Sequence, residues 1–160
     1  MSDWPTGHIP YATDLSHVDL VNALRLVRWL AVPELAARSH GCAALVPDQG
    51  TAITLFIEMI DIEERLEVGR LNVGVDSCIA SLCAEKIPLP EGDRSITELI
   101  SVEEHATIES GIEILWEQGQ KMTIVPNAMP CSLAIAAPGF PDRYFEPEYA
   151  LSDYAREELP

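Results

Sequence analysis

Apolar runs broken by turn residues fill the segment from Cys42 to Val75, and that pattern demands an antiparallel sheet. The runs at 42–46 and 51–57 flank Pro47-Asp48-Gln49-Gly50, where proline, aspartate and glycine occupy meaningful turn positions, so a hairpin is expected. Ile53, Leu55, Ile57 and Met59 alternate as strand residues do, whereas Asp61-Ile62-Glu63-Glu64-Arg65-Leu66 reads equally as helix; a strand to about Met59 and a charged turn after it is the favoured reading. Leu66 and Val68 hold one alternation phase and Leu71, Val73 and Val75 the other. A side-chain period of two permits that flip only with an inserted residue, which predicts a bulge or bend at Gly69. Further strands are expected at 121–125 and 131–136, around the break Pro126-Asn127-Ala128-Met129-Pro130.

Helices are expected on both sides of these strands. Ser16 is a suitable N-cap for a helix over 16–31, whose apolar residues leave only a narrow polar strip at Asp19, Asn22, Arg25 and Arg28. Pro33 opens a second short helix that Gly41 closes. Asp76 caps a helix to about Lys86, followed by extended Ile87-Pro88-Leu89-Pro90. Two capping boxes, Ser95-Ile96-Thr97-Glu98 and Ser101-Val102-Glu103-Glu104, lead into a helix over 102–118 that Gly119 ends. Helix is expected again over 147–159. The fold class is therefore α+β: one domain over 1–160, with an N-terminal arm at 1–15 and an acidic, aromatic segment at 138–160. Its mostly antiparallel sheet packs against about three main helices, 16–31, 76–86 and 102–118.

The chain carries 26 acidic and 10 basic residues, a formal net charge of −16, on a sequence that is 48% hydrophobic. That apolar content places the charge on a folded domain rather than a disordered tail. The excess is uneven, since residues 51–160 hold 21 acids and seven bases. A field of this sign disfavours nucleic-acid backbones and anionic lipid and favours a basic protein surface as partner. The four cysteines form no C-x-x-C and read as reduced and mostly buried. The N-terminal residues lack the basic and apolar regions of a signal peptide, and no apolar run approaches membrane-spanning length, so a cytoplasmic protein without membrane association is expected.

The oddest local feature is the 102–118 stretch. At about 100° per residue, Glu103, Glu109, Glu113 and Glu117 share one arc of a helix, opposite Ile108, Ile112, Leu115 and Trp116. Like charges at i, i+4 and i+8 disfavour the helix by roughly 0.2–0.5 kcal/mol per pair, so the stripe reads either as a solvated face or as an acidic docking ridge. The C-terminal segment sets Tyr144, Phe145, Tyr149 and Tyr154 among acids, which suits a binding surface or a terminal latch. The candidate partner-binding residues are accordingly Glu103, Glu109, Glu113, Glu117, Tyr144, Phe145 and Tyr149. No metal, cofactor or catalytic residue is expected: His8, His17, His40 and His105 lie far apart in sequence, Cys78 and Cys83 point to different sides of one helix, and no nucleophile or phosphate-loop motif occurs.

Two architectural likenesses follow from these segments. The run from Val18 through Leu30, then Gly41-Cys42-Ala43-Ala44-Leu45-Val46-Pro47-Asp48-Gln49-Gly50-Thr51-Ala52-Ile53-Thr54-Leu55, resembles the helix-then-hairpin opening of GAF sensor domains, and Thr123-Ile124-Val125-Pro126 with Ser132-Leu133-Ala134-Ile135-Ala136 is similar to that family's closing strands. This likeness implies a small-molecule-binding regulatory domain. The same opening, with a third strand at 66–75, also resembles type III secretion chaperones, which are small, acidic and dimeric; that implies a homodimer. The leading expectation is a non-enzymatic acidic protein-binding module of inhibitor, immunity, anti-defence or chaperone type. A GAF-like sensor is the alternative, and an enzyme of unknown class the second.

Overall fold

The computed structural model describes residues 4–141 and 145–160. In chain order its elements are β1 (Gly7–Ile9), α1 (His17–Leu24), β2 (Val27–Val32), β3 (Cys42–Pro47), β4 (Ile53–Glu63), β5 (Leu66–Gly74), α2 (Ser77–Leu82), β6 (Glu85–Pro88), β7 (Arg94–Val102), β8 (Ala106–Trp116), β9 (Lys121–Pro126), β10 (Leu133–Ala136) and β11 (Ala155–Leu159). They form two antiparallel sheets, β5-β4-β3-β2-β6 and β10-β9-β8-β7-β11, and β1 adds to β8 in parallel. Leu30, Leu45, Leu55 and Leu71 of the first sheet and Ile96, Ile112, Ile114, Trp116 and Ile124 of the second share one core with Leu20 and Leu24 of α1. The chain is thus mostly β, and the expected α+β fold with about three main helices is overturned.

Each lost helix has a local reason. Ser16 caps α1 as expected, its Oγ accepting the Asp19 amide at 3.1 Å, but the helix stops at Leu24. Residues 27–32 instead become β2, paired on both edges with β3 and β6, where the β-branched Val27 and Val32 and the bulky Trp29 suit a pleated surface. The segment after Pro33 is a turn, not a short helix. Asp76 caps α2 through its Oδ1, yet that helix ends at Leu82. Neither capping box is used: both lie in β7 or the turn after it, and Ser101 Oγ bonds Ser110 Oγ instead. The acidic helix at 102–118 is β8, whose inward residues Ile112, Ile114 and Trp116 keep strict alternation. A spacing of four, which suggested a helical stripe of glutamates, is also a multiple of the strand period. The C-terminal segment latches on as a strand, β11 pairing with β7 from Ala155↔Ile100 to Leu159↔Ile96.

The hairpin at 42–57 and the strands at 121–125 and 131–136 form as β3–β4 and β9–β10. β4, however, runs on to Glu63, and the turn is Glu64-Arg65. No bulge occurs at Gly69, which pairs in register with Met59; the irregularity in this hairpin lies between Asp61 and Glu63. The phase flip arises because both faces of the hairpin are covered. Leu71 and Val73 enter the main core, while Val68 and Ile62 pack with Ala106 and Ile108 in a second cluster. Gly69 sits where β5 packs closely on β9 of the other sheet: a Cβ there would lie 2.6 Å from the Pro126 ring.

Ser110 fastens that junction. Its Oγ is fully buried and bonds Gly69 O and Ser101 Oγ, both at 2.7 Å. Ser110→Ala is expected to lower stability by about 1–2 kcal/mol, since it strands the buried Ser101 hydroxyl. Urea unfolding followed by tryptophan fluorescence measures this, and an unchanged midpoint would show the bridge to be dispensable.

Candidate functional site

The β7–β8 pairing shifts register between Leu99 and Ile100, where Leu99 faces Gly111, Ile100 faces Glu109, and Ser110 is left over. Such a bulge re-aims side chains. Here it brings Glu109 to the same face as Ile112 and therefore as Glu98, whose cross-strand partner Ile112 is. Two carboxylates thus meet under the N-terminal arm and the start of α1, each only 2% exposed.

The arm and helix supply the rest. Tyr11 donates its amide to Glu109 Oε1 at 2.9 Å and its hydroxyl to Gly111 O at 2.7 Å. His8 Nε2 lies 2.7 Å from Glu109 Oε2, with its Nδ1 2.9 Å from Thr107 Oγ1. His17, the first residue of α1, places Nε2 3.9 Å from Oε1 of both Glu98 and Glu109. Glu98 Oε2 is buried without a hydrogen-bond partner among the described residues.

The two acids are driven apart in acidity. Burial, the hydrogen bond to Glu109, and the charges of Glu109 and Glu157 push Glu98 up to about 8. Burial also pushes Glu109 up, but the Glu98 proton, the Tyr11 amide and His8 outweigh it and hold Glu109 below the usual carboxylate range. At neutral pH the pair is one carboxylic acid donating to one carboxylate, an arrangement that can move a proton or exchange it for a cation.

The expected partner-binding residues are scattered by the fold. Glu109 is in this buried pair. Glu113 is bound by Arg156 at 2.6 Å, and Glu103 accepts from the Tyr149 hydroxyl at 2.8 Å. Glu117 is exposed just beyond β8. Phe145 and Tyr149 pack against Leu99, Val125, Ala134 and Tyr154, so these aromatics serve the latch; Tyr144 lies outside the described residues. Among the described residues these side chains share no helical ridge, since 106–116 is a strand.

Other acidic side chains gather around two turns. The second apolar cluster joins the β4–β5 turn to the β7–β8 turn, and exposed Asp61, Glu63, Glu64, Glu67 and Glu104 surround that junction beside Arg65 and His105. The cysteines also depart from expectation. Cys78 and Cys131 are exposed and Cys42 and Cys83 half-buried, the latter pair with Sγ atoms 3.9 Å apart and the Cys83 thiol pushed up to about 12 by burial and by Cys42. No helix among the described residues is long and apolar enough to cross a membrane. Searches of protein-family profiles, curated proteins and solved structures find no match to this chain.

Proposed function

We propose that this protein is a non-enzymatic, cytoplasmic binding module, of inhibitor, immunity, anti-defence or chaperone type, that docks its acidic end on a basic surface of a partner protein. The observation that supports this reading is the grouping of Asp61, Glu63, Glu64, Glu67 and Glu104 around two turns locked together by Ile62, Val68, Ala106 and Ile108. Rigid presentation matters, because charges fixed on a packed scaffold steer an encounter without the entropy cost of ordering a tail. The same field repels nucleic acid and anionic membranes, and self-docking at this end is opposed, so a homodimer would have to use another surface.

Reversing Glu63, Glu64, Glu67 and Glu104 to lysine tests the reading. Affinity capture from the source cell, read by mass spectrometry at low and high salt, is expected to yield a basic protein that salt releases and the fourfold variant does not retain. A partner held equally by the variant, or indifferent to salt, overturns the proposal. With the purified partner, association is expected to slow by about 10-fold or more at low ionic strength.

A further inference from the structure

We propose that His8, Glu98 and Glu109, with His17 closing from α1, form a binding site for a divalent transition-metal ion. One ligand atom each from His8, Glu98 and Glu109 already lies within 4.8 Å of the others. A tetrahedral ion with bonds of about 2.0–2.2 Å needs donors about 3.4 Å apart, so modest closure suffices. The adjustable partners are the histidines, whose side chains are 48% and 52% exposed at the mouth; the carboxylates are fixed in strands. The exposed rings also leave a path for the ion to enter.

Burial separates this site from the acids on the surface. Surface carboxylates are hydrated and need no counter-ion, whereas two adjacent carboxylates inside a fold are costly unless a proton or cation lies between them. Glu98 Oε2 is buried and has no hydrogen-bond partner among the described residues, so this oxygen is open to a cation. The donor set selects among cations: two imidazoles and two carboxylates suit Zn²⁺ or Co²⁺, while Mg²⁺ and Ca²⁺ favour six or more oxygens. Thr107 Oγ1, beside His8 Nδ1, is placed to fix the ring so that Nε2 faces the ion. The bound ion would tie the arm and α1 to the second sheet, joining segments about 100 residues apart in sequence.

Titration of the chelator-stripped full-length protein with Co²⁺, followed by visible absorption, tests the site. One equivalent is expected to give the intense d–d bands of a four-coordinate ion, which Zn²⁺ then displaces. Glu98→Gln is expected to weaken binding at least about 100-fold, beyond the 10–100-fold that loss of an outer-shell group costs. His8→Ala, at a side chain half-exposed at the mouth of the site, should also weaken it at least about 10-fold, and it keeps the test decisive if the Glu98 variant fails to fold. Glu34→Gln, at an exposed position just after β2, should leave binding unchanged. Absence of saturable binding at one equivalent, wild-type affinity in both site variants, or a sulfur-to-cobalt charge-transfer band assigning the ion to Cys42 and Cys83 overturns the proposal.

Discussion

Gly111→Ala is expected to cost about 3 kcal/mol, the upper end of what overpacking a well-filled interior does. A Cβ at this position would lie 2.5 Å from the Ile124 carbonyl oxygen and 2.6 Å from Val125 Cγ1. The first of these is backbone in the neighbouring strand, so no rotamer change relieves it; β8 and β9 must separate where Ile112 pairs with Ile124. The Gly111 carbonyl also receives the Tyr11 hydroxyl, so the same shift disturbs the arm over the carboxylate pair. At roughly 2–4 °C per kcal/mol for a chain of this size, thermal unfolding should fall by about 6–12 °C. Gly41→Ala is the control, since its Cβ would meet nothing within 4 Å. A Gly111 variant melting within a degree or two of the wild type would mean that the strands yield more readily than their packing implies.

Gly111 also marks why the second sheet was hard to read in the sequence. The first sheet's hairpin was legible because its turn carries proline, aspartate and glycine between apolar runs of strand length. In β8, Glu109, Glu113 and Glu117 recur every four residues, which satisfies a helical and a strand period alike, and two S-x-x-E boxes tipped the reading towards helix. The density of Ile and Thr from Ile96 to Ile114, together with a mid-segment glycine, pointed the other way. Tertiary pairing on both edges of β8 then decided the matter. The candidate site was less legible still. Glu98, Glu109, His8 and His17 lie on four separate elements, and they converge only because an extra residue at Ser110 turns Glu109 to the face of Glu98. A bulge of one residue leaves no periodic signal of its own. Glu109 was singled out for its charge, but as part of an exposed ridge, whereas it is 2% exposed.

Glu98→Gln is expected to stabilise the metal-free protein, by an amount that grows with pH. Glu98 is pushed up to about 8 in the fold, against an ordinary value of 4.5. Between those values the folded state holds a proton that the unfolded chain releases, so the contribution of Glu98 to stability is fully present below about 4.5 and is lost as pH rises through about 8. Glutamine never ionises, and its amide can still donate to Glu109. In chelator, urea unfolding of the variant and the wild type should therefore give similar stabilities near pH 4.5 and diverge by roughly 2–4 kcal/mol by pH 8.5, given 1.36 kcal/mol per unit and some relaxation of the ionised group. Parallel curves across that range would show that the buried carboxyl ionises without penalty. Zinc narrows that gap. An ion that binds only the folded wild type adds about 2.7 kcal/mol at 100 times its dissociation constant, and the variant, lacking a ligand, gains little of it. The same substitution thus stabilises the protein in chelator and forgoes stability in zinc. A general loss of packing at position 98 would lower stability in both conditions and cannot produce a variant that gains in chelator and gives up most of that lead in zinc.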